Sequence, residues 1–199
     1  MENNIKNNIG KIQEDILNYC KLNNKNPIDI NLVAVTKTVS VDRILQGLDH
    51  GIKIIGENKI QEALPKILAI NRKDIEYHFI GHLQSNKVKS AVENFDCIQS
   101  VDNFKLATLI DKFAKEVNKK QRILLEINIG DEESKYGLPE NNIYDFILSL
   151  KNYNNIIIEG LMTIAPLLSN AEEVRPYFHR MNKMYKLYKE NIGQENVAF

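Results

Sequence analysis

Leu32-Val33-Ala34-Val35-Thr36 is an unbroken β-prone apolar run with no polar alternation. A strand of this kind has to be covered on both faces, which is the environment of a parallel sheet flanked by helices. The chain then repeats one theme. Helical and strand-like stretches alternate, and the spacing predicts helices over 41–50, 61–69, 86–93, 104–117, 139–150 and 171–189. Strands are predicted over 52–57, 77–80, 97–101, 123–129 and 156–162, and Val197-Ala198-Phe199 opens a seventh. Ser40 and Gly51 suit the two ends of the helix over 41–50. Pro65 belongs near a first turn or forces a kink. Ahead of the first strand, Ile5, Ile9, Ile12, Ile16 and Tyr19 recur every three or four residues, predicting an amphipathic helix with that whole face buried.

Consecutive strands carry no Asn-Gly hairpin signal between them, so right-handed parallel crossovers in an α/β fold are required. A closed barrel and a doubly wound sheet both satisfy this. The doubly wound sheet usually announces its ligand site with a glycine-rich turn after the first strand, and Thr36-Lys37-Thr38-Val39-Ser40 holds no glycine. The expectation is therefore a TIM-type (β/α)8 barrel. No stretch rich in Pro, Gly or Ser divides the chain, so residues 1–199 are read as one domain.

Charge narrows the partners. Lys+Arg and Asp+Glu are both 26, for a net charge of +0 and a pI near 6.9. The basic field that nucleic acids or anionic membranes attract is missing. Apolar runs fall well short of the about 20 residues that span a bilayer. The N-terminus lacks the apolar core of a signal peptide, and the two cysteines show neither a disulfide framework nor CxxC spacing. A cytoplasmic protein with reduced thiols is expected.

In a barrel, reactive groups gather where strands run into the following loops, and these junctions hold Lys37, Asn58, His82, Asn128 and Met162. Lys37 follows an apolar strand directly. An amine partly desolvated at the barrel mouth becomes a nucleophile toward carbonyls, although the same spacing suits a lysine snorkelling to water. Asn58 fits a ligand oxygen or the cap of the next helix equally well. His78 and His82 lack a third ligand, so no metal site is expected. Glu126 and Asn128 share a face of the fifth strand, and a buried Glu126 demands a cationic partner or a ligand. In Asp131-Glu132-Glu133-Ser134-Lys135-Tyr136-Gly137 the charges suit a solvated loop, and Phe178, Met181, Tyr185 and Tyr188 read as helix core.

Taken in order, the motifs resemble the YggS/PROSC family of pyridoxal 5'-phosphate (PLP) homeostasis proteins. The matching blocks are Ala34-Val35-Thr36-Lys37-Thr38, Gly56-Glu57-Asn58 with Gln61-Glu62, and His78-Phe79-Ile80-Gly81-His82-Leu83-Gln84-Ser85-Asn86-Lys87. Asn128 with the 131–137 loop, and Gly160-Leu161-Met162-Thr163-Ile164, continue the match from the first strand to the sixth. The resemblance implies a fold-type III PLP barrel similar to the alanine racemase barrel, with Lys37 carrying the Schiff base and Asn58 and Met162 lining the cofactor. It implies a PLP binder in vitamin B6 and amino-acid homeostasis, with no catalytic residues, that meets PLP-dependent enzymes transiently; a monomer is expected. Racemases draw a second acid/base group from an additional β domain, for which this length leaves no room. A racemase- or decarboxylase-like enzyme using Lys37, and more remotely a class I aldolase, stand as alternatives. Asn196-Val197-Ala198-Phe199 resembles the start of the family's seventh strand. No residue matches the Ser-Met-Gly-Met-Ser type loop or the Val-Arg-Ile-Gly type eighth strand that follow in the family. A barrel lacking the end of strand 7 and strand 8, without an assignable phosphate cup and weak for PLP, is the resulting expectation.

Overall fold

The opening isoleucine periodicity becomes α1 (Glu2–Leu22), though not with the face the spacing predicts. Ile9 and Cys20 are buried and Ile5 and Ile16 half-buried, whereas Ile12 is 44% and Tyr19 70% exposed. The buried line steps by four, seven and four residues, and a true 3.6-residue helix carries Ile12 and Tyr19 out of it.

The computed structural model describes residues 2–132 and 135–191, and the strand expected at 197–199 lies outside them. The described residues form two compact units, divided after His78. In the first unit, β1 (Val33–Val35) pairs in parallel with β2 (Ile54–Glu57), Val33 opposite Ile54 and Val35 opposite Gly56. β3 (Glu76–Phe79) follows beside β2, where the Glu76 amide donates to the Lys53 carbonyl at 2.8 Å. Between the strands, α2 (Val41–Asp49) buries Ile44 and Leu48, one turn apart, and α3 (Ile60–Ile70) buries Ile60, Ala63 and Ile70. Ser40 does stand at the N-cap of α2, and Gly51 turns the chain out of it with φ +95°, a conformation that favours glycine. Pro65 lies inside α3, beyond its first turn.

In the second unit, β4 (Cys97–Val101), β5 (Gln121–Glu126) and β6 (Ile156–Met162) lie side by side in parallel, in chain order. Their core is β-branched and leucine-rich, with Ile98, Val101, Ile123 and Leu125 fully buried. The register of β5 on β6 slips between Ile123 and Leu124, where β6 inserts one extra residue, Glu159. α4 (Val88–Asn94) and α5 (Phe104–Glu116) pack together, α5 through Leu106, Ala107, Ile110 and Ala114. The Asn103 side chain caps α5 by accepting the Leu106 amide at 2.9 Å. Val117, the expected last residue of this helix, lies past the end of α5 and is exposed. The stretch after Pro139 begins as a short 3-10 turn before α6 (Ile143–Ser149). α7 (Ala171–Asn191) lies against β6. Its aromatic stripe is only partly core: Tyr188 is buried, but Phe178 is 56% exposed.

Cys20 and Cys97 are both buried and form no disulfide. No helix among the described residues is long and apolar enough to cross a membrane.

Candidate functional site

In the first unit the strands end on polar residues. The Thr36 amide continues the β1–β2 ladder, donating to the Gly56 carbonyl at 3.0 Å, so Lys37 and Asn58 leave the same end of neighbouring strands. The chain then reverses in a tight turn, closed by the Val39 amide donating to the Thr36 carbonyl at 3.0 Å. Lys37 and Thr38 are the corner residues. Thr38 has φ +62°, in the left-handed region, which a β-branched residue enters at a cost of roughly 1–2 kcal/mol. The turn leaves Lys37 exposed. The desolvation expected of it at a barrel mouth is therefore absent, because a corner residue projects away from the strand that precedes it. Asn58 is half-buried, and its Oδ1 is buried with no hydrogen-bond partner among the described residues. It does not cap α3, whose N-cap is Lys59.

Beneath the turn lies a group the sequence does not single out. Glu57, 2% exposed, accepts at Oε1 from Thr36 Oγ1 and from Lys66 Nζ, each at 2.7 Å. Lys66 comes from α3, and its Nζ also donates to the Thr36 carbonyl at 2.8 Å. Among the described residues, Glu57 Oε2 is buried without a partner. Glu57 falls within Gly56-Glu57-Asn58, but the nine-residue step to Lys66 carries no recognisable signal. His78 is buried in β3 with its ring nitrogen Nε2 3.0 Å from Glu76 Oε2.

In the second unit, β5 ends at Glu126, and the extension expected through Ile129 becomes an irregular segment tied to Leu138 by a single bridge. Glu126 is buried, and burial, with the like charge of Asp102, raises its carboxyl to about 7. Among the described residues no cationic group is recorded as acting on it, and the carboxyl holds its proton only up to about pH 7. Asn128 is absorbed by its own loop: its Oδ1 accepts the Glu132 amide at 3.2 Å and its Nδ2 donates to the Glu132 carbonyl at 2.9 Å. Lys135 donates to Glu132 Oε1 at 2.6 Å. His82 is exposed and stacks on Tyr136, with ring centroids 3.7 Å apart and planes 14° from parallel. Met162 ends β6, half-buried, and its carbonyl accepts the Ile127 amide at 2.8 Å. Next to it, Thr163 Oγ1 donates to the Ile127 carbonyl at 2.7 Å. Lys37 and Asn58 thus come together at one pair of strand ends; the role implied for Met162, in the other unit, rests on the resemblance.

Parallel strands in βα alternation, with a lysine leaving the first strand, define a class that the comparisons make definite. Residues 7–197 match the family model described as alanine racemase, N-terminal domain. The chain is 38% identical over 194 residues to the pyridoxal phosphate homeostasis protein of Aquifex aeolicus (strain VF5), covering 96% of this chain and 82% of that protein. Among solved structures, a protein from Bifidobacterium adolescentis superposes with TM-score 0.91 at 26% identity, over 98% of this chain and 83% of that one. PipY of Synechococcus elongatus PCC7942, solved with PLP bound, superposes with TM-score 0.76 at 29% identity, over 88% of this chain and 82% of its own. The chain belongs to the alanine racemase N-terminal domain family, and within it to the pyridoxal phosphate homeostasis proteins.

Proposed function

We propose that this protein binds pyridoxal 5'-phosphate through Lys37 and serves vitamin B6 and amino-acid homeostasis as a carrier of the cofactor. The reading is carried by the exposed Lys37 amine at the end of β1 in a chain whose relative PipY was solved with PLP bound. The residues present suit the cofactor. An aldehyde needs an accessible amine, which Lys37 offers, and a ring bearing hydrogen-bonding substituents needs polar atoms in want of a partner, which Asn58 Oδ1 supplies. When bound, PLP would supply an electrophilic aldehyde, with Lys37 as the amine that would hold it.

In this reading the chain works in the cytoplasm as a monomer folded as one domain, and passes the cofactor to PLP-dependent enzymes. Buried, unbridged thiols agree with a reducing compartment. The test is a titration with PLP followed by absorption, borohydride reduction and peptide mapping. The label is expected on Lys37. A label mainly on another lysine overturns the assignment, and steady turnover of an amino acid overturns the carrier role.

A further inference from the structure

We propose that Lys66 and Glu57 are a positioning pair that holds the turn carrying Lys37 in a single geometry; the proposal rests on the reading of Lys37 given above. The turn is intrinsically unfavourable, because Thr38 occupies the left-handed region without being glycine or asparagine. Its own closing bond, from the Val39 amide to the Thr36 carbonyl, is one hydrogen bond. Lys66 Nζ adds a second donor on that same carbonyl at 2.8 Å, and Thr36 is held from its other side by its hydroxyl on Glu57 Oε1. The residue immediately before Lys37 is therefore fixed through both its backbone and its side chain.

Burial argues that this arrangement does more than stabilise. The side chains of Lys66 and Glu57 are 15% and 2% exposed, and a buried ion pair generally adds less to stability than apolar residues of the same volume. Among the described residues, Glu57 even keeps one buried oxygen unpartnered. What the pair supplies is direction: it joins α3 to the ends of β1 and β2 at the point from which Lys37 departs. A lysine on a flexible loop samples many directions before meeting an aldehyde, whereas one on a clamped corner starts from a narrow set.

The experiment follows two quantities in the wild type, Lys66→Met, Lys66→Arg and Glu57→Gln. The first, measured without PLP, is the hydrogen-exchange rate of the Val39 amide. The second is the rate at which borohydride traps PLP on Lys37, with the other labelled lysines as internal controls. Lys66→Met and Glu57→Gln are expected to accelerate Val39 exchange and to slow trapping at Lys37 by about tenfold or more, leaving the control lysines unchanged. Lys66→Arg, which keeps the charge and the donors, is expected to restore most of both. Unchanged Val39 exchange in Lys66→Met overturns the clamp, as does slowing shared equally by all lysines. If Lys66→Met does not fold, Lys66→Gln replaces it, retaining a donor for the Thr36 carbonyl but not the charge; wild-type trapping at Lys37 there overturns the proposal. A wild-type label absent from Lys37 defeats the cofactor reading instead, and Val39 exchange still judges the clamp.

Discussion

Asp102, one residue beyond β4, acts electrostatically on Glu126, the last residue of β5, and adds its like charge to the burial that raises the Glu126 carboxyl to about 7. Between pH 4.5 and about 7 the folded chain thus holds a proton there that the unfolded chain has already released.

Stability should therefore fall as pH rises from 4.5 to about 7 and level off above that, since in this window the folded state binds more protons than the unfolded one. The contribution is on the order of 1–3 kcal/mol, allowing for screening by solvent at the strand end. Glu126→Gln should remove this part of the slope and be the more stable form at alkaline pH. Urea denaturation of both proteins across the window tests it, and parallel pH profiles would refute it.

The drift of the α1 stripe sets a contrast between two isoleucines three residues apart. Ile9→Ala should cost about 2–4 kcal/mol, because Ile9 is 8% exposed, and Ile12→Ala less than about 1 kcal/mol. Comparable losses in denaturant midpoint would mean that Ile12 is covered after all.

Gly137 has φ +118°, and a Cβ there would stand 2.5 Å from the Asn128 backbone nitrogen and 2.8 Å from the Ile127 carbonyl carbon. Both neighbours are backbone and cannot move aside singly. Gly137→Ala should lower stability by about 2 kcal/mol or more. A denaturation midpoint equal to that of the wild type would contradict this account of the loop.

Lys37→Ala should leave thermal stability within about 0.5 kcal/mol of the wild type, as expected of an exposed turn residue, while abolishing the absorption change on adding PLP. Calorimetry beside the PLP titration separates the two effects. A large loss of stability would make Lys37 a structural residue.

The strand–helix alternation was readable because buried parallel strands show as continuous apolar runs; 97–101 and 156–162 match β4 and β6 residue for residue. Sequence spacing and exposure part where local pattern and packing diverge. Ile12 and Phe178 have the spacing of core residues, but each lies at the margin of its helix's buried stripe, where a rotation of one residue decides exposure. At the candidate site, Lys37 and Asn58 could be found because they end strands that the sequence marks clearly. Lys66 was hidden: a lysine inside a helix ordinarily faces water, and only the fold turns this one back onto Glu57. Asn128, which the two-residue period sets on one face with Glu126, is spent on its own loop.

Both thiols of the chain are buried, Cys20 in α1 and Cys97 in β4. Sulfur is the nucleophile that competes best with an amine for an aldehyde, and it reacts as the solvent-accessible thiolate. With both sulfurs enclosed, an incoming aldehyde meets amines at the surface without competition from a thiolate. Chemoselectivity is thus built into the core, in advance of any feature of the binding residues themselves.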